Sequence, residues 1–205
     1  EAAAAWAREE LAPLPGARAV RCVPPGRPAR LRLVAPTEVP RRRLRSRQGA
    51  IAFLHALAHI ELNAIDLAWD CIQRFRDLPD DYYDDWVGVA RDEATHFLLL
   101  RARLRDLDAD YGDLPAHNGL WEMAEKTAGD PLERMALVPR FLEARGLDVA
   151  PGMIERLVRA GDTASAAIVQ RILDEEVAHV AAGSRWFRHL CELRGLDPDA
   201  EFLRL

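Results

Sequence analysis

The chain of 205 residues has little cysteine, few aromatics and almost no lysine, and each shortage narrows what it can be. Its three cysteines, Cys22, Cys71 and Cys191, stand far apart without a CxxC pair. That odd, scattered set argues against a disulfide framework and reads as free buried thiols. Lys126 is the only lysine, so arginine carries the positive charge, a bias of composition rather than of function. The net charge of −5 disfavours nucleic acid or an anionic membrane as the main partner. One basic run, Arg41-Arg42-Arg43-Leu44-Arg45, goes against that balance. It reads as a solvated approach to a helix rather than as a phosphate-binding patch. No apolar run approaches the length of a membrane span, since His, Glu or Arg interrupts the longer ones. The opening EAAAAWAREELAPL lacks the basic-then-apolar order of a signal peptide and reads as a short surface helix. These absences together lead to the expectation of a cytoplasmic protein.

What is present is helical periodicity. With 49% hydrophobic and 30% charged residues, the chain has a globular balance and the length for one domain with an appendage. Residues 1–14 suit a helix docked through Trp6 and Leu11. Prolines from Pro13 to Pro40 exclude a continuous helix there, and the alternating Arg30–Val34 suits a short extended piece. Residues 1–45 are therefore expected to form an N-terminal helix and a Pro/Arg-rich surface arm, and residues 46–205 a helical domain. In that domain the signals place helices from about Ser46 to Arg76, from about Pro79 to Leu107, from Asp130 to Gly146 and from Asp162 to Arg194. Short helices near Leu120–Thr127 and Gly152–Ala160 fall in the connections. Four long helices joined in this way predict an all-α four-helix bundle.

Two of those helices carry the same short motif, Glu93-Ala-Thr-His96 and Glu176-Val-Ala-His179. Residues three apart share a helix face, so each motif can aim a carboxylate and an imidazole at one point. One such motif means little. Here, however, Glu61 precedes Glu93 by almost the interval that separates Glu143 from Glu176, so the chain reads as two half-sites of one form. A lone Glu from each of two helices and Glu-x-x-His from each of the other two is the ligand pattern of di-metal carboxylate bundles. Glu61 lies in an apolar stripe of Leu54, Leu57, Ala58, Ile65, Ala68 and Ile72, where an uncompensated carboxylate is costly to bury. Glu93 and Glu176 share faces with Trp86, Val89 and Leu100, and with Val169, Ile172 and Phe187. Glu143 follows Pro139, a source of a kink, and Arg140, a candidate ion-pair partner. Asp92 and Glu175 precede the motif glutamates and are expected to accept the outer ring N–H of His179 and His96 across the bundle. The competing reading of both is a solvated helix charge. His55 and His59 fall with Asp66 and Asp70 on a different face and read as polar-face or outer residues.

Four carboxylates and two imidazoles without a thiolate suit two ions of iron, manganese or one of each, with iron first and zinc disfavoured. Tyr83, Trp86, His117 and Trp121 are candidates for lining access to the site, with packing or turn formation as their ordinary role.

The segments AHIELNAIDLAWD, DEATHF, AHNGLWEMA, LVPRFLEARGLDVAPGM and DEEVAHVAAGSRWF resemble a largely uncharacterised bacterial family of ferritin-like proteins. The resemblance covers roughly Pro24 to Leu196 and extends, more distantly, to the tRNA-modifying hydroxylases and other di-iron oxidases. It implies a ferritin-like bundle in which Glu61, Glu93, His96, Glu143, Glu176 and His179 are the ligands. It also implies an outer aspartate at Asp92, with Glu175 one methylene longer than that pattern. The expected activity is an O2-dependent oxidation or hydroxylation of a small organic substrate, with an electron donor and substrate that the sequence does not specify. Metal handling of the ferroxidase kind is the alternative, and a purely structural metal ranks last. A tRNA substrate would require a basic patch near the site, and a homodimer is compatible with the apolar faces.

Overall fold

Side-chain caps set the ends of the long helices. Ser46 accepts the Gly49 N–H at 3.1 Å and starts α2 (Arg47–Arg74). Asp80 and Asp81 occupy the first turn of α3 (Asp80–Asp106), where the helix dipole favours negative charge. Asp162 accepts the Ser165 N–H and starts the longest helix, Thr163–Arg194, which stops at Gly195 in the left-handed conformation, φ 65°. The computed structural model describes residues 1–12, 24–40 and 44–205. Residues 13–23, which include Cys22 and the start of the Pro13–Pro40 tract, and Arg41, Arg42 and Arg43 of the basic run lie outside the described residues.

The fold is all-helical. Besides α2 and α3 it contains α1 (Ala2–Ala7), α4 (Gly119–Lys126), α5 (Pro131–Leu137), α6 (Ala144–Arg159), α7 (Thr163–Arg194) and α8 (Pro198–Arg204). A π-helical segment, Val138–Glu143, joins α5 to α6. Among the described residues no strand forms, and the extended Arg30–Val34 piece contributes one isolated parallel bridge, Leu33 to Ala116. α2 packs along α3, the α5–π–α6 line packs along α7, and α3 lies against α7.

Several expectations change. Leu11 does not dock and is 46% exposed, because α1 ends at Ala7; Trp6 alone packs, against Tyr83. The third long helix neither ends at Gly146 nor gives way to a separate helix at 152–160, but runs on through Pro151 to Arg159. Its terminator is Gly161, φ 81°, since Gly146 keeps a helical conformation. Pro151 is exposed on α6, where the lost backbone bond to Leu147 can be replaced by water. α8, capped by Asp197, was not anticipated. α2 does have the length and hydropathy of a membrane span, but 67% of that window is buried inside the protein.

The core is split. Phe53, Leu54, Ala58, Leu100, Leu104, Leu157, Val169 and Ile172 fill one half, and Ala68, Tyr82, Trp86, Met135, Trp186 and Phe187 fill the other. On α2, α3 and α7 alike, the boundary between the halves falls at the motif residues, so apolar packing flanks a polar layer on both sides.

Candidate metal centre

Four stretches of helix bring the polar layer together: Glu61 from α2, Glu93 and His96 from α3, Glu143 from the end of the π-helical segment, and Glu176 and His179 from α7. Ligand atoms of Glu61, Glu93, His96 and Glu176 lie within 4.8 Å of one another, and this buried cluster can hold a metal ion. Both histidines turn Nδ1 inward. His96 Nδ1 lies 3.3 Å from Glu61 Oε2, 3.4 Å from Glu93 Oε2 and 3.9 Å from Glu176 Oε1. His179 Nδ1 lies 3.3 Å from Glu93 Oε1 and 3.4 Å from Glu176 Oε2. Glu93 and Glu176 therefore each divide their two oxygens between the two histidines. Glu143 is close enough to Glu176, Glu93 and His179 for their charges to act on it.

The outer nitrogens point the other way. His96 Nε2–H donates to Glu175 Oε2 at 2.7 Å, and His179 Nε2 stands 3.6 Å from Asp92 Oδ2. Arg171 in turn donates to Glu175, and Arg91 to Asp92. The arginines are partners that sequence reasoning missed, although Arg171 could have been found as the residue four before Glu175.

The electrostatics are those of crowded, desolvated carboxylates. Burial and the neighbouring charges of Glu93 and Glu176 push the Glu61 carboxyl well up. Burial and Glu176 do the same to Glu143. Burial also raises Glu176, against the opposing pull of His179. Glu93 is the exception: burial opposes its charge, but the neighbouring His179 and His96 imidazoles and the Glu61 carboxyl hold it down. Burial alone would lower both imidazoles, yet the carboxylates raise His96 to about 10 and His179 to about 11. Partial burial works against the charge of Glu175, but His96 and Arg171 outweigh it and keep that carboxyl below its ordinary range. Two like charges about 4 Å apart repel by about 4 kcal/mol even at an effective dielectric of 20. Four ionised carboxylates therefore need cations among them. Among the described residues, Glu61 Oε2, Glu143 Oε2 and both ring nitrogens of His179 are buried without a hydrogen-bond partner.

The π-helical segment follows from Pro139, which cannot donate a backbone bond and would crowd the preceding turn of an α-helix. Its ring lies against Gly183 of α7, where any Cβ would collide with it. This close approach holds the segment carrying Glu143 beside the α7 turn carrying His179.

Other expectations are corrected. Arg140 is not paired with Glu143; its guanidinium stacks 4.1 Å from the Phe202 ring centre and 4.8 Å from that of Phe187. Tyr83, Trp86, His117 and Trp121 do not line one cavity. Tyr83 and Trp86 are packed in one core half, and Trp121 packs with Leu67, Ala124 and Val138. His117 lines a surface cavity with Leu33, Pro36 and Glu122. His55 and His59 are neither polar-face residues nor partners of the centre, being 1% and 4% exposed. His55 Nε2 accepts the Gly112 N–H, while His59 bridges Tyr111 Oη and the His117 carbonyl, so the pair pins the connection between α3 and α4. Asp70 is buried too, facing Arg134.

Comparison with known proteins adds a family and no activity. A family described as a protein of unknown function, DUF455, matches residues 1–205. An uncharacterised protein of Haemophilus influenzae is 48% identical over 172 residues, 80% of this chain and 60% of that protein. The chain thus spans well under two thirds of the length of that relative. No solved structure matches the chain.

Proposed function

The chain belongs to the DUF455 family, and we propose that it is a di-metal carboxylate protein of ferritin-like architecture that carries out an O2-dependent oxidation. In this reading α2, α3, the α5–π–α6 line and α7 are the four helices of the bundle. His96 and Glu61 would hold one ion, and His179 and Glu143 would hold the other. The observation that carries the reading is the division of oxygens, since Glu93 and Glu176 each present one oxygen toward each histidine. Carboxylates placed in that way can bridge two ions about 3.5–4 Å apart. Four carboxylates also match the charge of two divalent cations, which relieves the repulsion and gives the unpartnered oxygens and ring nitrogens their ligand.

Hard oxygen donors with two imidazoles favour iron, then manganese or a mixed pair. Such ions, when bound, supply open coordination positions and reversible one-electron chemistry toward O2. The chain's own residues do the rest. Glu175 fixes the His96 ring through Nε2, the orientation that metal ligation by Nδ1 requires, and Asp92 faces the Nε2 of His179 at 3.6 Å. The flanking core halves exclude bulk water, and Glu61 and Glu143 can release the protons that burial favours as cations take their place.

A second reading is metal handling of the ferroxidase kind, without an organic substrate. The scattering of Tyr83, Trp86, His117 and Trp121 favours it, since these four side chains do not gather into one pocket. The two readings separate when anaerobically loaded ferrous protein is mixed with O2 in limiting and excess iron. An oxidase consumes O2 in proportion to protein and needs an external reductant to continue. A ferroxidase turns over excess ferrous iron by itself. Protein that binds iron but consumes no O2 rules out both.

A further inference from the structure

We propose that Trp6, Tyr83, Tyr82, Trp86 and Trp186 form a single-electron relay between the protein surface and the polar layer. The purpose of the relay rests on the metal reading above, but its geometry does not. The chain has only five tryptophans and three tyrosines, and three of the first and two of the second are joined in one run of rings. Trp6 meets Tyr83 with centroids 6.5 Å apart, and Tyr83 meets Tyr82 at 5.4 Å. Tyr82 then meets Trp186 at 5.2 Å and Trp86 at 6.1 Å. These spacings are those of rings in edge contact.

The inner end of the run points at the site. Trp86 lies seven residues before Glu93 on α3, and Trp186 seven after His179 on α7. Seven residues are two helical turns, about 10 Å, and return to the same face. Both tryptophans therefore stand under the polar layer on the faces that carry Glu93 and His179. The outer end reaches the half-buried indole of Trp6 on α1.

Simple core packing does not require the next feature. The indole N–H of Trp6 donates to Asp84 Oδ1 at 2.6 Å, and that of Trp186 to Asp85 Oδ2 at 2.6 Å. An oxidised indole is far more acidic than the neutral ring, so a carboxylate already in place makes loss of the electron easier by accepting the proton with it. The indoles are the stations: each gives one electron inward and passes one proton to its carboxylate, Trp6 to Asp84 and Trp186 to Asp85, while Tyr83 and Tyr82, whose hydroxyls have no carboxylate beside them, keep their protons and couple the indoles through their rings. On re-reduction from the outer side each indole takes its proton back. The oxidant is the oxidised metal centre, and the final reductant is a one-electron donor acting at Trp6. The rings thus deliver electrons to the centre and drain oxidising equivalents from it when substrate is missing.

The test uses the full chain without metal, so its failure is separate from failure of the metal reading. A flash-generated ruthenium(III) tris-bipyridine oxidises the protein from solution, and freeze-quenched radicals are assigned by electron paramagnetic resonance with ring-deuterated tyrosine or tryptophan. The relay predicts that the spin reaches the Trp86–Trp186 pair in the wild type. It predicts loss of that interior signal in Trp6→Phe, and its persistence in Tyr82→Phe, which keeps the coupling ring and removes only the hydroxyl. Unchanged circular dichroism shows that these conservative variants fold. An interior radical of undiminished yield in Trp6→Phe, or no interior radical in the wild type, overturns the proposal.

Discussion

Arg134 and Asp70 are buried as deeply as Glu93 and His96, but the two clusters differ in whether the protein matches their charge. Arg134 sits in a closed set: Nε donates to Thr127 Oγ1, Nη1 to Asp70, and Nη2 to the Ala124 carbonyl. Arg74 adds a second cation to Asp70. The cluster around Glu93 gathers Glu61, Glu176 and His96, with His179 and Glu143 beside them, and leaves buried atoms without hydrogen-bond partners. A similar contrast divides the histidines. Burial lowers His55 and His59 to about 4, so both are neutral pins of a connection, while carboxylates raise His96 and His179 to about 10 and about 11. A buried charge that is matched internally serves the fold. One that is left unmatched has to be explained by something the fold receives.

Removing one member from each cluster sharpens that contrast most. Arg134→Met removes one of the two cations at the buried Asp70 and frees the Thr127 and Ala124 acceptors, and the expected loss is about 3–5 kcal/mol of folding stability. Glu61→Gln puts a neutral group where burial and the neighbouring carboxylates already oppose a charge, so the metal-free protein is expected to keep or raise its stability while metal affinity falls. Chemical denaturation of both variants without metal checks the pair. Equal destabilisation would erase the distinction between the clusters.

A smaller effect tests the protons. In the metal-free protein the raised Glu61, Glu143, Glu176, His96 and His179 hold protons more tightly than the unfolded chain does. Stability from such groups is complete below their unfolded values and is lost as pH rises toward the folded ones. Glu93, which is depressed, contributes the opposite slope only in strong acid. Bound cations displace those protons, so the gain in Tm from added manganese is expected to grow between about pH 6 and about pH 8. A gain that is flat or falls with pH contradicts the exchange of protons for metal.

The sequence carried the long helices and their ends well, because Ser46, Asp162 and Gly195 act locally. It also brought Glu61, Glu93, His96, Glu176 and His179 to one layer, since helical periodicity alone sets which face each occupies. It failed where distant packing decides. Gly146 and Pro151 look like breakers, yet α6 runs through both because its terminator lies at Gly161. Asp70 looks solvent-facing until Arg134, 64 residues on, closes over it. His55 and His59 have partners in a connection whose path no local signal gives. Trp121 and His117 sit close in the chain but pack in different places.

The central claim is a centre for two ions, and metal stoichiometry of the purified, anaerobically reconstituted chain tests it most directly. The account predicts about two iron or manganese ions per chain, lost in Glu93→Ala/Glu176→Ala. Retention of metal by that double variant, or no transition metal in the wild type, would contradict it and leave a helical protein with buried, proton-sharing carboxylates.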